Sequence, residues 1–196
     1  MGAAGLLPER PPSRAVFLDR DGVLIRDVDH LRTPDQIEVL PGVPEALRDL
    51  RAAGWRLIVV TNQSVVARGW VSELELHRIH RTLASRLRDR GAELDAIYYC
   101  PHHPAAVVPE YRVVCQCRKP APGMLLRAAR EWAVDLGASV LVGDSPSDVE
   151  AGRRAGTRTV LIRPPGGEAG PDLAPGPVDY VACDLADAAR WILARA

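Results

Sequence analysis

The chain has 196 residues, and its 25 Lys+Arg balance 25 Asp+Glu, so the formal net charge is zero. With 47% hydrophobic and 26% charged residues it has the composition of a folded globular chain, which excludes intrinsic disorder, and its neutrality argues against general binding of nucleic acid or membrane surfaces. No apolar run approaches the ~20 residues of a membrane span. Met1 to Ser13 carry neither an apolar run nor a basic leader, so no secretory signal is expected. The expectation is one cytoplasmic domain over 1–196, acting as a monomer, without nucleic-acid or membrane partners.

In chain order, Ala15-Val16-Phe17-Leu18 reads as a buried strand ending at Asp19. Gly42 to Ala53 is a predicted helix, with Pro44 early, Val43, Leu47 and Leu50 on one face, and Gly54 as its stop. Leu57 to Val60 is a second strand, ending at Thr61. Ser72 to Arg90 carries the clearest helical signal: Ser72 and Glu75 make a capping box, Leu76, Ile79, Leu83 and Leu87 line one side, and Gly91 terminates it. His77 and His80 on this helix fit a solvated face.

Leu94 to Tyr98 is a third predicted strand, and Pro122 opens a helix running to about Leu136. Ser139 to Val142 is a fourth strand. A short helix from Pro146 to Ala155 stops at Gly156, and Thr159 to Ile162 is a fifth strand. The stretch 164–177 is rich in Pro and Gly and reads as a loop. Val178 to Ala182 adds an edge strand before a closing helix from Asp184. Strands that are apolar on both faces and alternate with helices imply an α/β fold, a doubly wound parallel sheet covered on both sides. Ligands of such sheets bind beyond the carboxyl ends of the strands.

Chemistry-bearing residues gather at those ends. The first strand runs into Asp19-Arg20-Asp21-Gly22 and the fourth into Gly143-Asp144. Carboxylates brought close repel unless a proton or cation intervenes, and a hard oxygen set suits Mg²⁺. Thr61-Asn62-Gln63-Ser64 offers four neutral hydrogen-bonding residues for phosphate oxygens. The chain has one lysine, Lys119, one asparagine, Asn62, and one phenylalanine, Phe17. A chain that uses Arg almost everywhere and Lys once points to a need for a compact ammonium there. A metal, a carboxylate nucleophile and a ring of donors describe phosphoryl transfer. Asp148, third in a helix capped by Ser145, fits capping as well as a role in the site.

Three of the four cysteines lie in a C-x-H-x12-C-x-C pattern formed by Cys100, His102, Cys115 and Cys117. Clustered Cys and His in a cytosolic chain point to metal rather than disulfides, and three thiolates with one imidazole make a closed tetrahedral set for structural Zn²⁺. His103 is an alternative to His102. The clip would tie down the polar loop 104–114 and place Arg118 and Lys119 at the active-site mouth. Cys183, apart from this group, reads as a small buried residue.

Phe17-Leu18-Asp19-Arg20-Asp21-Gly22 resembles the first motif, hhhDxDG, of the haloacid dehalogenase-like phosphatases. Thr61-Asn62-Gln63-Ser64 is similar to their second motif, Lys119 to their third and Gly143-Asp144 to their fourth, over about positions 14–163. The resemblance implies a Rossmann-like fold with Asp19 as the nucleophile that forms an aspartyl-phosphate. Asp21 would be the acid that protonates the leaving alcohol and then activates water. Thr61 and Lys119 would stabilise the transferring phosphoryl group, and Mg²⁺ would be held by Asp19, the Asp21 backbone carbonyl and Asp144.

The stretches Tyr98 to Pro104 and Cys115 to Leu125 resemble the zinc-loop branch, in which a small zinc loop replaces a large cap and whose members act on heptose 1,7-bisphosphate or histidinol phosphate. Arg118 and Asp27 are then expected to contact the sugar. The chain departs from the heptose pattern at Val28-Asp29-His30, where an Asp-His-Gly-Tyr-like stretch continues after the Asp, and at Ser145, where a basic residue is common. The leading expectation is removal of the 7-phosphate of D-glycero-D-manno-heptose 1,7-bisphosphate. Histidinol-phosphate hydrolysis and non-catalytic sugar-phosphate binding are the alternatives.

Overall fold

The computed structural model describes residues 13–164 and 177–195. Strand β1 (Ala15–Leu18) is buried along its whole length. It lies between β2 (Arg56–Asn62) and β4 (Val140–Gly143) in a six-stranded sheet of order β3-β2-β1-β4-β5-β6, with every pairing parallel. Here β3 is Ala96–Cys100, β5 Arg158–Ile162 and β6 Tyr180–Ala182.

The two-residue period of the strands sends alternate side chains to opposite faces. Val16, Leu18, Val59 and Val142 meet Leu47 and Leu50 of helix α1 (Val43–Ala52), Ile79 and Leu83 of α3 (Glu73–Arg88) and Ile192 of α6 (Leu185–Leu193). Phe17, Ile58, Val60 and Leu141 meet Met124, Leu125 and Ala128 of α4 (Gly123–Trp132) and Ala151 of α5 (Pro146–Ala155). A short helix, α2 (Ser64–Ala67), follows β2. None of the described helices is long and apolar enough to cross a membrane.

Helix α3 begins as its capping box predicts: Glu75 N–H donates to Ser72 Oγ at 3.2 Å and Ser72 N–H to Glu75 Oε2 at 2.7 Å. Several boundaries differ from the sequence reading: β2 runs on to Asn62 and β6 starts at Tyr180 rather than residue 178, and β3 and α4 shift as well. Strand β3 starts two residues late because the Asp95 carboxylate takes the Leu57 N–H at 2.8 Å and two arginines, Arg51 and Arg56, at 3.1 Å. The strand instead extends to Cys100, which pairs with Asn62, so the metal-type cluster starts at the functional edge. Helix α4 ends at Trp132, because Ala133 turns left-handed (φ 50°) and its carbonyl accepts the Ser13 N–H. Helix α2 was not predicted; four residues give too little periodicity. The predicted 164–177 loop lies outside the described residues except for 164 and 177.

Candidate active site

The strand order reverses between β1 and β4, so Asp19 and Asp144, each the residue after its strand, emerge side by side at the carboxyl edge. One oxygen from each of Asp19, Asp144 and Asp148 lies within 4.8 Å of the others. Lys119, only 3% exposed, reaches into this group. Its Nζ stands 2.9 Å from Asp19 Oδ1 and 2.5 Å from Asp148 Oδ1, and donates to the Val60 carbonyl at 2.9 Å. Three acceptors thus surround one ammonium, which has three N–H groups.

Burial pushes the Asp19 carboxyl up to about 6, with Lys119 pulling it down and Asp148 and Asp21 pushing it up. Burial, then repulsion from Asp19 and Asp148, raises Asp144 to about 7. Burial would lower the Lys119 pKa, but Asp148 and Asp19 more than offset it and the net shift is upward. One cation among three carboxylates leaves negative charge uncompensated, which suits a hard divalent ion. Two glycines make the crowding possible. A Cβ on Gly22 (φ +72°) would sit 1.9 Å from Asp144 Oδ2, and one on Gly143 would sit 2.2 Å from Asp148 Cβ.

A cavity of about 220 Å³ opens here, bordered by Asp19, Asp21, Asp27, Thr61, Asn62, Gln63, Ser64, Lys119 and Asp144 among others. Nine of the ten residues expected at the catalytic, magnesium and substrate sites therefore meet in one place. The tenth, Arg118, is not among those bordering the cavity; its Nη1 donates to the His102 carbonyl at 3.1 Å, so it braces the Cys/His loop. Asn62 also has a role that composition did not suggest: its amide accepts the Lys119 N–H at 3.0 Å and donates to the Lys119 carbonyl at 3.1 Å, fixing the lysine backbone. The departing segment borders the cavity through Asp27, Asp29 and His30. Asp29 and His30 are left-handed (φ 48° and 78°), and Asp27 Oδ1 accepts the Asp29 N–H at 3.0 Å.

Asp148 does both jobs left open for it. Oδ2 accepts the Ser145 N–H at 3.1 Å and hydroxyl at 2.6 Å, closing the cap of α5, while Oδ1 faces Lys119. Convergence of side-chain carboxylates therefore involves Asp148 rather than Asp21. The Asp21 carboxylate is gripped by Arg20, whose Nη2 lies 2.9 and 2.8 Å from its two oxygens, and by Gln63 Nε2 at 3.0 Å.

The Cys/His cluster lies beside this edge. Its sulfur–sulfur distances are 3.1 Å (Cys100–Cys117), 3.2 Å (Cys115–Cys117) and 3.5 Å (Cys100–Cys115). His102 Nδ1 stands 3.3 Å from Cys117 Sγ and 3.7 Å from Cys100 Sγ. A tetrahedral zinc shell with bonds of about 2.3 Å has edges near ~3.8 Å, so the four donors need only small adjustments to accept one ion. The hydrogen bond between Cys100 and Cys117 pushes the Cys117 thiol down to about 5 and the Cys100 thiol up, so the two sulfurs share a proton that a bound metal would displace. His103 is turned to the Ala105 N–H at 3.1 Å, which leaves His102 as the donor. The loop is also held directly: Tyr111 O–H donates to Glu73 at 2.8 Å, and Val107 N–H to the Ala67 carbonyl at 3.0 Å.

Family models described as haloacid dehalogenase-like hydrolase and HAD-hydrolase-like match residues 16–75 and 116–188. The D-glycero-beta-D-manno-heptose-1,7-bisphosphate 7-phosphatase of Escherichia coli K12 is 42% identical over 173 residues, 88% of this chain and 90% of that protein. The chain belongs to the haloacid dehalogenase-like hydrolases. The enzyme of the same name from Rhodopseudomonas palustris is 44% identical over 76% of this chain and 81% of that protein. A D,D-heptose 1,7-bisphosphate phosphatase from B. bronchiseptica, crystallised with magnesium and phosphate, superposes on this hydrolase with a TM-score of 0.81. It is 36% identical, over 93% of this chain and 99% of that one.

Two expectations for the hydrolase are corrected. Cys183 is half-buried rather than buried, because it follows the short edge strand β6. His80 is not on a solvated face: it is 6% exposed and lies 3.3 Å from Arg20 Nη1. The helical pattern placed it beside Ile79 but could not show that Arg20, 60 positions away, needs an acceptor there. His77 is exposed as expected, with Nε2 2.6 Å from the Tyr99 hydroxyl. Burial and then Arg20 push the His80 imidazole down to about 3. The unfolded chain therefore takes up a proton near pH 6.5 that the folded state refuses, and stability falls as the pH drops from there toward 3. Replacing His80 with Gln flattens this limb of a urea-midpoint profile by up to about 1.4 kcal/mol per pH unit; an unchanged limb would contradict the buried neutral imidazole.

Proposed function

We propose that the hydrolase removes the 7-phosphate of D-glycero-β-D-manno-heptose 1,7-bisphosphate. One observation carries this reading: Asp19, Asp21, Lys119 and Asp144 share a single cavity beside a four-donor Cys/His cluster, in a chain 42% identical over most of its length to enzymes named for that reaction. Asp19 attacks the phosphorus of the 7-phosphate and the bond to the sugar oxygen breaks, leaving an aspartyl-phosphate. Asp21 gives its proton to that departing oxygen. In the second half the Asp21 carboxylate takes a proton from water, the water oxygen attacks phosphorus, and the bond to Asp19 breaks to release phosphate. Lys119 holds Asp19 in place and, with Thr61, balances the charge on the phosphoryl oxygens.

The uncompensated carboxylates fit magnesium, which Asp19, the Asp21 backbone carbonyl and Asp144 would hold. When bound, it neutralises charge on the nucleophile and the phosphoryl group. Cys100, His102, Cys115 and Cys117 would hold zinc with no position left open, a structural role that also suits a reducing, cytoplasmic setting. Zinc chelation is expected to expose 100–117 to protease while α3 and the sheet stay protected. Unchanged cleavage after verified metal loss would count against the clip.

The deciding assay measures phosphate release from the β and α anomers of the bisphosphate and from histidinol phosphate, with magnesium. The β anomer is expected to give the highest kcat/KM. Faster turnover of histidinol phosphate would reverse the assignment, and binding without any magnesium-dependent release would favour a non-catalytic sugar-phosphate protein.

A further inference from the structure

We infer that Arg20 and His80 are positioning residues that hold the Asp21 carboxylate for proton transfer, an inference that rests on reading Asp21 as the acid of a phosphatase. Arg20 sits between the two site aspartates in the chain and is 1% exposed. A guanidinium so deep needs charged or hydrogen-bonding partners on each of its edges. One edge takes Asp21: Nη2 donates to Oδ1 at 2.9 Å and Oδ2 at 2.8 Å, and Nε to Oδ1 at 3.2 Å. The remaining corner, Nη1, points at His80 Nε2, 3.3 Å away on α3.

For Nη1 to donate there, Nε2 must carry a lone pair, so His80 must be neutral. Its burial and the cation beside it enforce that state. From the β2 side, Gln63 Nε2 donates both to Asp21 Oδ2 at 3.0 Å and to Thr61 Oγ1 at 2.9 Å. The plane of the carboxylate is therefore set from two directions, by a fork anchored on α3 and by an amide anchored on β2. Orientation of this kind governs how well a general acid delivers its proton. Protonation of the leaving group belongs to the first half-reaction alone, whereas activation of water by Asp21 in the second half is common to every substrate.

This division yields a test that a folding defect does not mimic. A sugar oxygen leaves as a poor alkoxide and needs Asp21, whereas p-nitrophenolate leaves with little help. Wild type and the Arg20→Met, Arg20→Lys, His80→Gln and His80→Leu variants are compared with magnesium on heptose 1,7-bisphosphate and on p-nitrophenyl phosphate, with enzyme in excess so that release of the alcohol in a single turnover reports the first half-reaction alone. Arg20→Met is expected to lower the single-turnover rate of alcohol release from the sugar phosphate by about 10²-fold, against less than about tenfold from the nitrophenyl ester, with half-saturating substrate within about threefold. His80→Gln, whose amide oxygen accepts the same N–H, keeps the wild-type ratio of the two rates, while His80→Leu and Arg20→Lys lower it. Equal losses on both substrates, or a ratio unchanged in Arg20→Lys and His80→Leu, would overturn the positioning role. A wild-type protein inert on both substrates would instead overturn the reading of Asp21, and the inference with it.

Discussion

Asp19→Asn is expected to abolish phosphate release while leaving a folded protein of equal or greater stability. The amide keeps an oxygen for Lys119 Nζ, which stands 2.9 Å from Asp19 Oδ1, and for the Arg20 N–H at 2.8 Å. It removes the anionic nucleophile, so kcat falls on the order of 10⁴-fold or more. It also removes one of three carboxylates whose mutual repulsion, added to burial, raises Asp19 to about 6 and Asp144 to about 7. With magnesium absent, relief of that repulsion offsets the weakened contact to Lys119. The two readouts are phosphate release under single-turnover conditions and thermal melting in EDTA. Activity within tenfold of wild type would eliminate covalent catalysis by Asp19; a large drop in melting temperature would mean that the carboxylate is structural.

Lys119→Arg, which preserves charge, is also expected to lose most of the activity. The ammonium sits among three acceptors, Asp19 Oδ1, Asp148 Oδ1 and the Val60 carbonyl, at 2.9, 2.5 and 2.9 Å. A compact ammonium fits between the two carboxylates while donating to the carbonyl; a planar fork with five donors and a wider head does not. Its backbone cannot shift to make room, because Asn62 binds both the N–H and the carbonyl of residue 119. The guanidinium would therefore displace Asp19 or intrude on the phosphate cavity, and kcat is expected to fall by roughly 10²–10³-fold, the scale seen when an electrostatic stabiliser is lost. Asp148→Asn, which leaves the ammonium its charge partner Asp19, is expected to be milder. Wild-type turnover by Lys119→Arg would show that charge alone suffices.

The elements of the fold were legible because they are written in short-range chemistry. Unbroken apolar runs of four or five residues mark the strands, which the sheet buries on both faces. The Ser72–Glu75 box and the glycines at 54, 91 and 156 bound helices wherever they fall in space. Where the reading slipped, a distant partner intervened: Asp95, taken by Leu57, Arg51 and Arg56, delayed β3, and Ser13 drew residue 133 out of α4.

The amino-acid sequence by itself determined the inventory of the site: acidic residues after the first and fourth strands, a hydrogen-bonding quartet after the second, a solitary lysine, and a Cys/His set with metal spacing. Residue type and spacing suffice for that, since a strand end delivers whatever follows it to the carboxyl edge. Tertiary structure alone decided how these groups engage one another. It turned Asp148 toward Lys119, selected His102 over His103, drew Arg118 to the loop it follows, and paired buried Arg20 with a buried neutral His80. Each of these choices depends on side-chain direction and burial between segments distant in the chain, set by the packing of helices against the sheet, and periodicity along the chain carries no record of it.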